Sequence, residues 1–104
     1  MSLTPDQIAR TRGELRANLE LTGLSEDQVT ADLQWPVQRL QAALHVGGHT
    51  DPVDVWELRD YLERAVLDAG ASPVPFSTLT AENRALARRW FRLRTAPRHE
   101  FPRS

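Results

Sequence analysis

The stretch Trp35-Pro36-Val37-Gln38-Arg39-Leu40-Gln41 carries side chains suited to reading nucleic-acid bases. Glutamine matches the edge of adenine and arginine that of guanine, each through paired hydrogen bonds. Gln38, Arg39 and Gln41 are the candidates for that role, with Val37 at the start of the same segment. Trp35, beside Pro36, sits where a half-exposed indole would anchor an interface; the plainer reading has it closing the core under a turn. A second constellation is Arg84, Arg88 and Arg92, spaced i, i+4 and i+8, with Arg89 and Arg94 at its flanks. On a helix these form one stripe able to hold phosphates in a salt-dependent way. The stripe also suits an anionic membrane surface, with Trp90 and Phe91 as anchors, or neutralisation of acids elsewhere in the chain or in a partner subunit.

Other chemistry is sparse. His45 and His49 flank Val46-Gly47-Gly48, with Asp51 close by. Imidazole and carboxylate ligate zinc, yet a flexible solvated loop is the simpler reading, and no metal is expected. No nucleophile stands at a recognisable spacing from a base, and no glycine-rich phosphate loop follows a strand. The chain is therefore read as a non-enzyme without a cofactor, and with no known small-molecule ligand. Cysteine is absent, which excludes disulfides and thiolate metal sites. No apolar run approaches the roughly 20 residues that span a bilayer, and no secretory signal opens the chain. A cytoplasmic location without membrane contact is expected.

Charge is distributed unevenly. The formal net charge is only -1, but residues 1–83 hold six Arg against thirteen Asp and Glu, while residues 84–104 hold seven Arg and one Glu. Every basic residue is Arg, so each anion contact would use a planar, permanently charged fork.

The elements that must position these groups read as helices. Thr4-Pro5-Asp6-Gln7 is a capping box with Pro at the first helical position, and Ile8, Leu15 and Leu19 form a stripe that ends at Thr22-Gly23. Ser25-Glu26-Asp27-Gln28 is a second capping box, followed by Val29 and Leu33. The residue before a proline avoids the α region, so that helix must stop near Gln34. Pro36 starts a third helix, with Val37, Leu40 and Leu44 inward and Gly47-Gly48 as its stop. Asp51-Pro52 caps a fourth, whose stripe of Val55, Leu58, Leu62, Val66 and Ala69 runs to Gly70. Residues 71–80 read as an ordered loop anchored by Phe76 and Leu79. Thr80 caps a last helix to Arg94, with Leu86, Trp90 and Leu93 inward. No stretch alternates as a strand would. The expectation is an all-α, compact five-helix domain over residues 1–94, then a loose tail over 95–104.

Within it, residues 25–44 match the spacing of a phage-repressor-like helix-turn-helix. Val29 and Leu33 on one helix and Leu40 and Leu44 on the next can hold the pair, and the second helix would enter the major groove. Two positions depart from that motif: Thr30 stands where Ala is usual, and Gln34 where a left-handed Gly is usual.

The segments MSLTPDQIARTRGELRANLELTGLS, DPVDVWELRDYL and PVPFSTLTAENR followed by RWF resemble an uncharacterised bacterial family, domain of unknown function 2316. The resemblance runs over about residues 1–94. It implies a small helical protein with a repressor-like helix-turn-helix segment, and carries no activity, cofactor or catalytic residue. The functional expectation is a transcriptional regulator that binds double-stranded DNA as a homodimer, using Trp35, Val37, Gln38, Arg39 and Gln41 with Arg84, Arg88 and Arg92. The alternative is a helical protein-interaction or oligomerisation module that binds no DNA.

Overall fold

The computed structural model describes residues 3–47 and 50–102. Among them are five helices and no strand: α1 (Pro5–Thr22), α2 (Glu26–Leu33), α3 (Val37–His45), α4 (Pro52–Asp68) and α5 (Ala81–Ala87). Each cap signal in the sequence operates. Thr4 Oγ1 accepts from the Gln7 amide at 3.2 Å while the Thr4 amide donates to Gln7 Oε1 at 2.9 Å. Ser25 and Gln28 repeat the exchange at 3.2 and 2.9 Å. Asp51 and Thr80 cap α4 and α5. Gly23 (φ 70°) and Gly70 (φ 84°) close α1 and α4 in the left-handed region, where no Cβ opposes the turn.

α1 packs chiefly on α4, and α3 touches α1, α2 and α4. Leu15, Val29, Leu40, Leu44, Leu58, Tyr61, Leu62 and Val66 are fully buried between them. α4 is the central rod, with every residue from Asp54 to Arg59 buried. The loop over 71–80 is held down as its apolar content requires: Phe76 and Leu79 are buried. Asn18 secures it by donating to the Val74 carbonyl at 3.1 Å and accepting from the Val74 amide at 2.9 Å. The envelope is 42 × 27 × 24 Å. Among the described residues no helix is long and apolar enough to cross a membrane.

Three expectations are corrected. α3 ends in a left-handed Val46 (φ 52°), not at Gly47. A β-branched residue resists that conformation, but the Val46 side chain is buried, and packing outweighs the strain. Val37 is exposed rather than inward. α5 stops at Ala87 instead of reaching Arg94, leaving Leu86 and Trp90 in solvent. Like charges at i, i+4 along 84, 88 and 92 oppose a longer helix. Leaving it lets Phe91, Leu93 and Ala96 pack against the core.

Candidate nucleic-acid interface

α2 and α3 are separated only by Gln34, Trp35 and Pro36. Gln34 takes the left-handed conformation (φ 58°, ψ 44°), and its amide donates to the Thr30 carbonyl. Pro36 then stands at the N-cap of α3 without a side-chain cap bond. The break forces the two short helices apart while Val29, Leu33, Leu40 and Leu44 bury between them and the rest of the core.

The residues proposed to read bases are differently employed. Trp35 is buried rather than half-exposed. It serves instead as the floor under Arg39, whose guanidinium lies 4.6 Å from the ring centre, a cation–π distance. Arg39 is also captured by α4: its Nε and Nη2 donate to Asp54 at 2.8 and 2.7 Å, a two-pronged charge-assisted contact. Gln41 is half-buried and donates to Glu26 of α2. Left facing solvent on α3 are Val37, Gln38, Ala42 and His45.

The arginines divide as well. Arg84 Nε donates to Asp60 at 2.9 Å, so it is engaged on α4. Because α5 ends at Ala87, Arg84, Arg88 and Arg92 do not form one helical stripe. Arg88, Arg89 and Arg92 are exposed and make no ion pair among the described residues. The tail beyond, read as loose from its prolines, is tied at several points. Arg94 donates to Asp54 and places Nε 2.8 Å from Glu57 Oε1. Arg98 meets Asp68 at 3.0 Å. His99 Nδ1 lies 2.7 Å from Asp32, which also accepts from the buried Tyr61 hydroxyl.

Asp54 thus joins Arg39 of α3 to Arg94 of the C-terminal segment. The Arg39 fork holds its carboxyl below the usual carboxylate range, with burial opposing and Arg94 assisting. Glu57, one turn further along α4, goes the other way: burial raises it despite Arg94 and Arg39 nearby. Its Oε1 is close to Arg94 but out of line for a directed hydrogen bond. Burial, then Asp32, pushes the Tyr61 hydroxyl well above its ordinary value. Asp54, Glu57 and Tyr61 fall at i, i+3 and i+7, a second inward stripe beside the apolar one. That spacing was the available signal for this cluster.

At the last residue of α3, His45 is exposed and its carbonyl accepts from Arg12 Nε at 3.1 Å. Asp51 is spent on capping Val53, and His49 lies outside the described residues. Among the described residues no group of three or more His, Cys, Asp or Glu is placed to hold a metal ion.

A family model described as "Uncharacterized protein conserved in bacteria (DUF2316)" matches residues 1–92. No curated protein and no solved structure matches the chain.

Proposed function

The chain belongs to this family of uncharacterised bacterial proteins, and from its own geometry we propose that it binds double-stranded DNA as a homodimer, through a helix-turn-helix over residues 25–44. The observation that carries this reading is the junction at Asp54. By holding Arg39 and Arg94 on one carboxylate, it brings the arginine-rich segment alongside the first turn of α3. Arg92, two residues upstream and unpaired among the described residues, is then the cation best placed for a backbone phosphate. Gln38 is the exposed α3 side chain with the chemistry to read a base edge. The left-handed Gln34 gives the turn the backbone conformation that such motifs place there.

The acids of α2 set the strength. Asp27 is exposed beside this surface, so affinity is modest and strongly salt-dependent. Anisotropy titrations of genomic fragments at several salt concentrations test the reading. Each neutralised phosphate contributes a slope of about -0.9 in log affinity against log salt. Arg92→Ala, acting once in each protomer, flattens the slope by roughly 2. Gln38→Ala relaxes sequence preference at one base pair, worth about 1–3 kcal/mol of discrimination. Absence of binding at about 50 mM salt, where phosphate contacts are strong, removes the proposal. So does binding indifferent to both substitutions.

A second reading has its own observation. Arg39 and Gln41 already spend their donors on Asp54 and Glu26, which suits a helical interaction or oligomerisation module without DNA. A chain that self-associates yet ignores duplex DNA would establish it.

A further inference from the structure

Neutralising acids accounts for only part of the basic end. Arg84, Arg94 and Arg98 each meet a carboxylate. Arg88, Arg89 and Arg92 are exposed and pair with none among the described residues. These three surround Trp90 in the chain, and Trp90 is itself 77% exposed. The backbone explains the grouping. After α5 stops at Ala87 the chain curls in tight turns: the Arg89 amide donates to the Leu86 carbonyl at 3.1 Å, and the Trp90 and Phe91 amides donate to the Ala87 carbonyl at 3.0 and 2.8 Å. Phe91 and Leu93 then pack against the core. Arg88, Arg89, Trp90 and Arg92, with Phe91 and Leu93, line an open hollow of about 420 Å³. Every charged residue lining it is arginine.

We propose that this hollow binds single-stranded nucleic acid, an unpaired base stacking on the Trp90 indole while Arg88, Arg89 and Arg92 hold the neighbouring phosphates. Two observations name the ligand together. Guanidinium forks match phosphate, and an exposed indole offers a π-face on which any base can stack. In a duplex the bases already stack on one another, so an indole gains little from them. A strand with unpaired bases supplies both groups. Arg88 and Arg89 precede Trp90 and Arg92 follows it, so cations stand on both sides of the indole along the chain, as phosphates stand on both sides of a base along a strand. A bilayer fits less well. Interfacial anchoring needs a broad apolar face, and two of the three apolar residues lining the hollow are committed to the core. The site does not depend on α3, and Arg92 is its one residue in common with the duplex-binding surface.

Fluorescence reads the stacking directly. Trp35 and Trp56 are buried, so the emission within reach of a stacked base is that of Trp90. The full chain is titrated with oligothymidylate at about 50 mM salt, where phosphate contacts are strong. Binding should quench the tryptophan emission. By anisotropy of a labelled oligomer, Trp90→Ala weakens affinity roughly fivefold to a hundredfold, the loss of one stacked base, while Trp90→Phe keeps most of it. Thermal unfolding of the Trp90→Ala chain stays that of the parent, because the side chain is exposed. Arg88→Ala and Arg89→Ala each flatten the salt dependence by about 0.7 in log affinity against log salt. Gln38→Ala leaves all of this unchanged, which separates the result from the fate of the duplex reading. No binding of the oligomer at that salt overturns the proposal, whatever the chain does with duplex DNA. So does binding indifferent to Trp90→Ala. A nucleoside triphosphate bound as tightly as the oligomer, or binding to anionic vesicles alone, overturns it equally.

Discussion

Asp54 and Glu57 lie one turn apart on α4, share the guanidinium of Arg94, and titrate in opposite senses. Asp54 accepts the Arg39 fork and stays ionised further into acid than an unfolded Asp, near 3.9. The stability it adds is present above that value and is lost as pH falls through its depressed one. Glu57 has no donor aligned on Oε1, so burial dominates and its proton is held more tightly than in the unfolded chain. Its contribution is whole below about 4.3 and is lost as pH rises through the elevated value. The two arginines are 34% and 45% exposed, which screens the pairs. Asp54→Asn should cost about 1–3 kcal/mol at neutral pH, between a surface and a buried pair, and should blunt the acid-side fall in stability. Glu57→Gln should stay within about 1 kcal/mol of the parent, since removing a desolvated charge offsets the lost pair. Urea unfolding of all three chains between about pH 3 and 8, spanning both carboxyl titrations, decides it. Equal losses for the two variants would contradict the opposed directions.

At the level of elements, the α2–α3 turn carries measurable strain. A residue with a Cβ in the left-handed region costs on the order of 1 kcal/mol, and Gln34 is exposed, so its side chain contributes little in return. Gln34→Gly should raise the melting temperature by roughly 4–8 °C. Val46→Gly, at the other left-handed residue, should not, because it also deletes a buried side chain. A lower melting point for Gln34→Gly would show that the turn is unstrained. Helix starts were legible in the sequence because they depend on three or four adjacent residues: Thr4, Ser25, Asp51 and Thr80 all cap as read. Ends set by local glycine, at Gly23 and Gly70, were legible for the same reason. The ends of α3 and α5 were not. There the deciding forces are burial of Val46, Phe91 and Leu93 against residues distant in the chain. The candidate site divides similarly. Exposure of Gln38 follows from helical spacing, whereas the capture of Arg39 and Arg84 depends on acids on α4, 15 and 24 positions away. A carboxylate on an inward stripe reads as solvent-facing until its partner is known.

Across the whole molecule, the acidic body and the basic end seen in the sequence fold onto each other. Arg84 reaches Asp60, Arg94 reaches Asp54 and Glu57, Arg98 reaches Asp68, and His99 reaches Asp32. The side chains of Arg94 and Arg98 reach the first turn of α4 and its last, so the C-terminal segment acts as a strap along the central helix. Leu93 and Ala96 add apolar contact with the core. Individually these ties are weak: Arg98 is 60% exposed, and a pair of that kind is worth under about 1 kcal/mol. Arg98→Ala alone should scarcely move the melting temperature. Together they act on the same rod, and removing Arg94 leaves Asp54 and Glu57 as neighbouring buried carboxylates short of one cation. A chain ending at Arg92 should therefore keep its helical circular-dichroism signal but melt on the order of 10 °C lower, from a loss of about 2–3 kcal/mol. The deficit should shrink in about 1 M salt, where the Debye length falls to about 3 Å and the intact chain's ion pairs are themselves screened. A truncated chain that melts with the parent at low salt would mean that the strap rests on α4 without stabilising it.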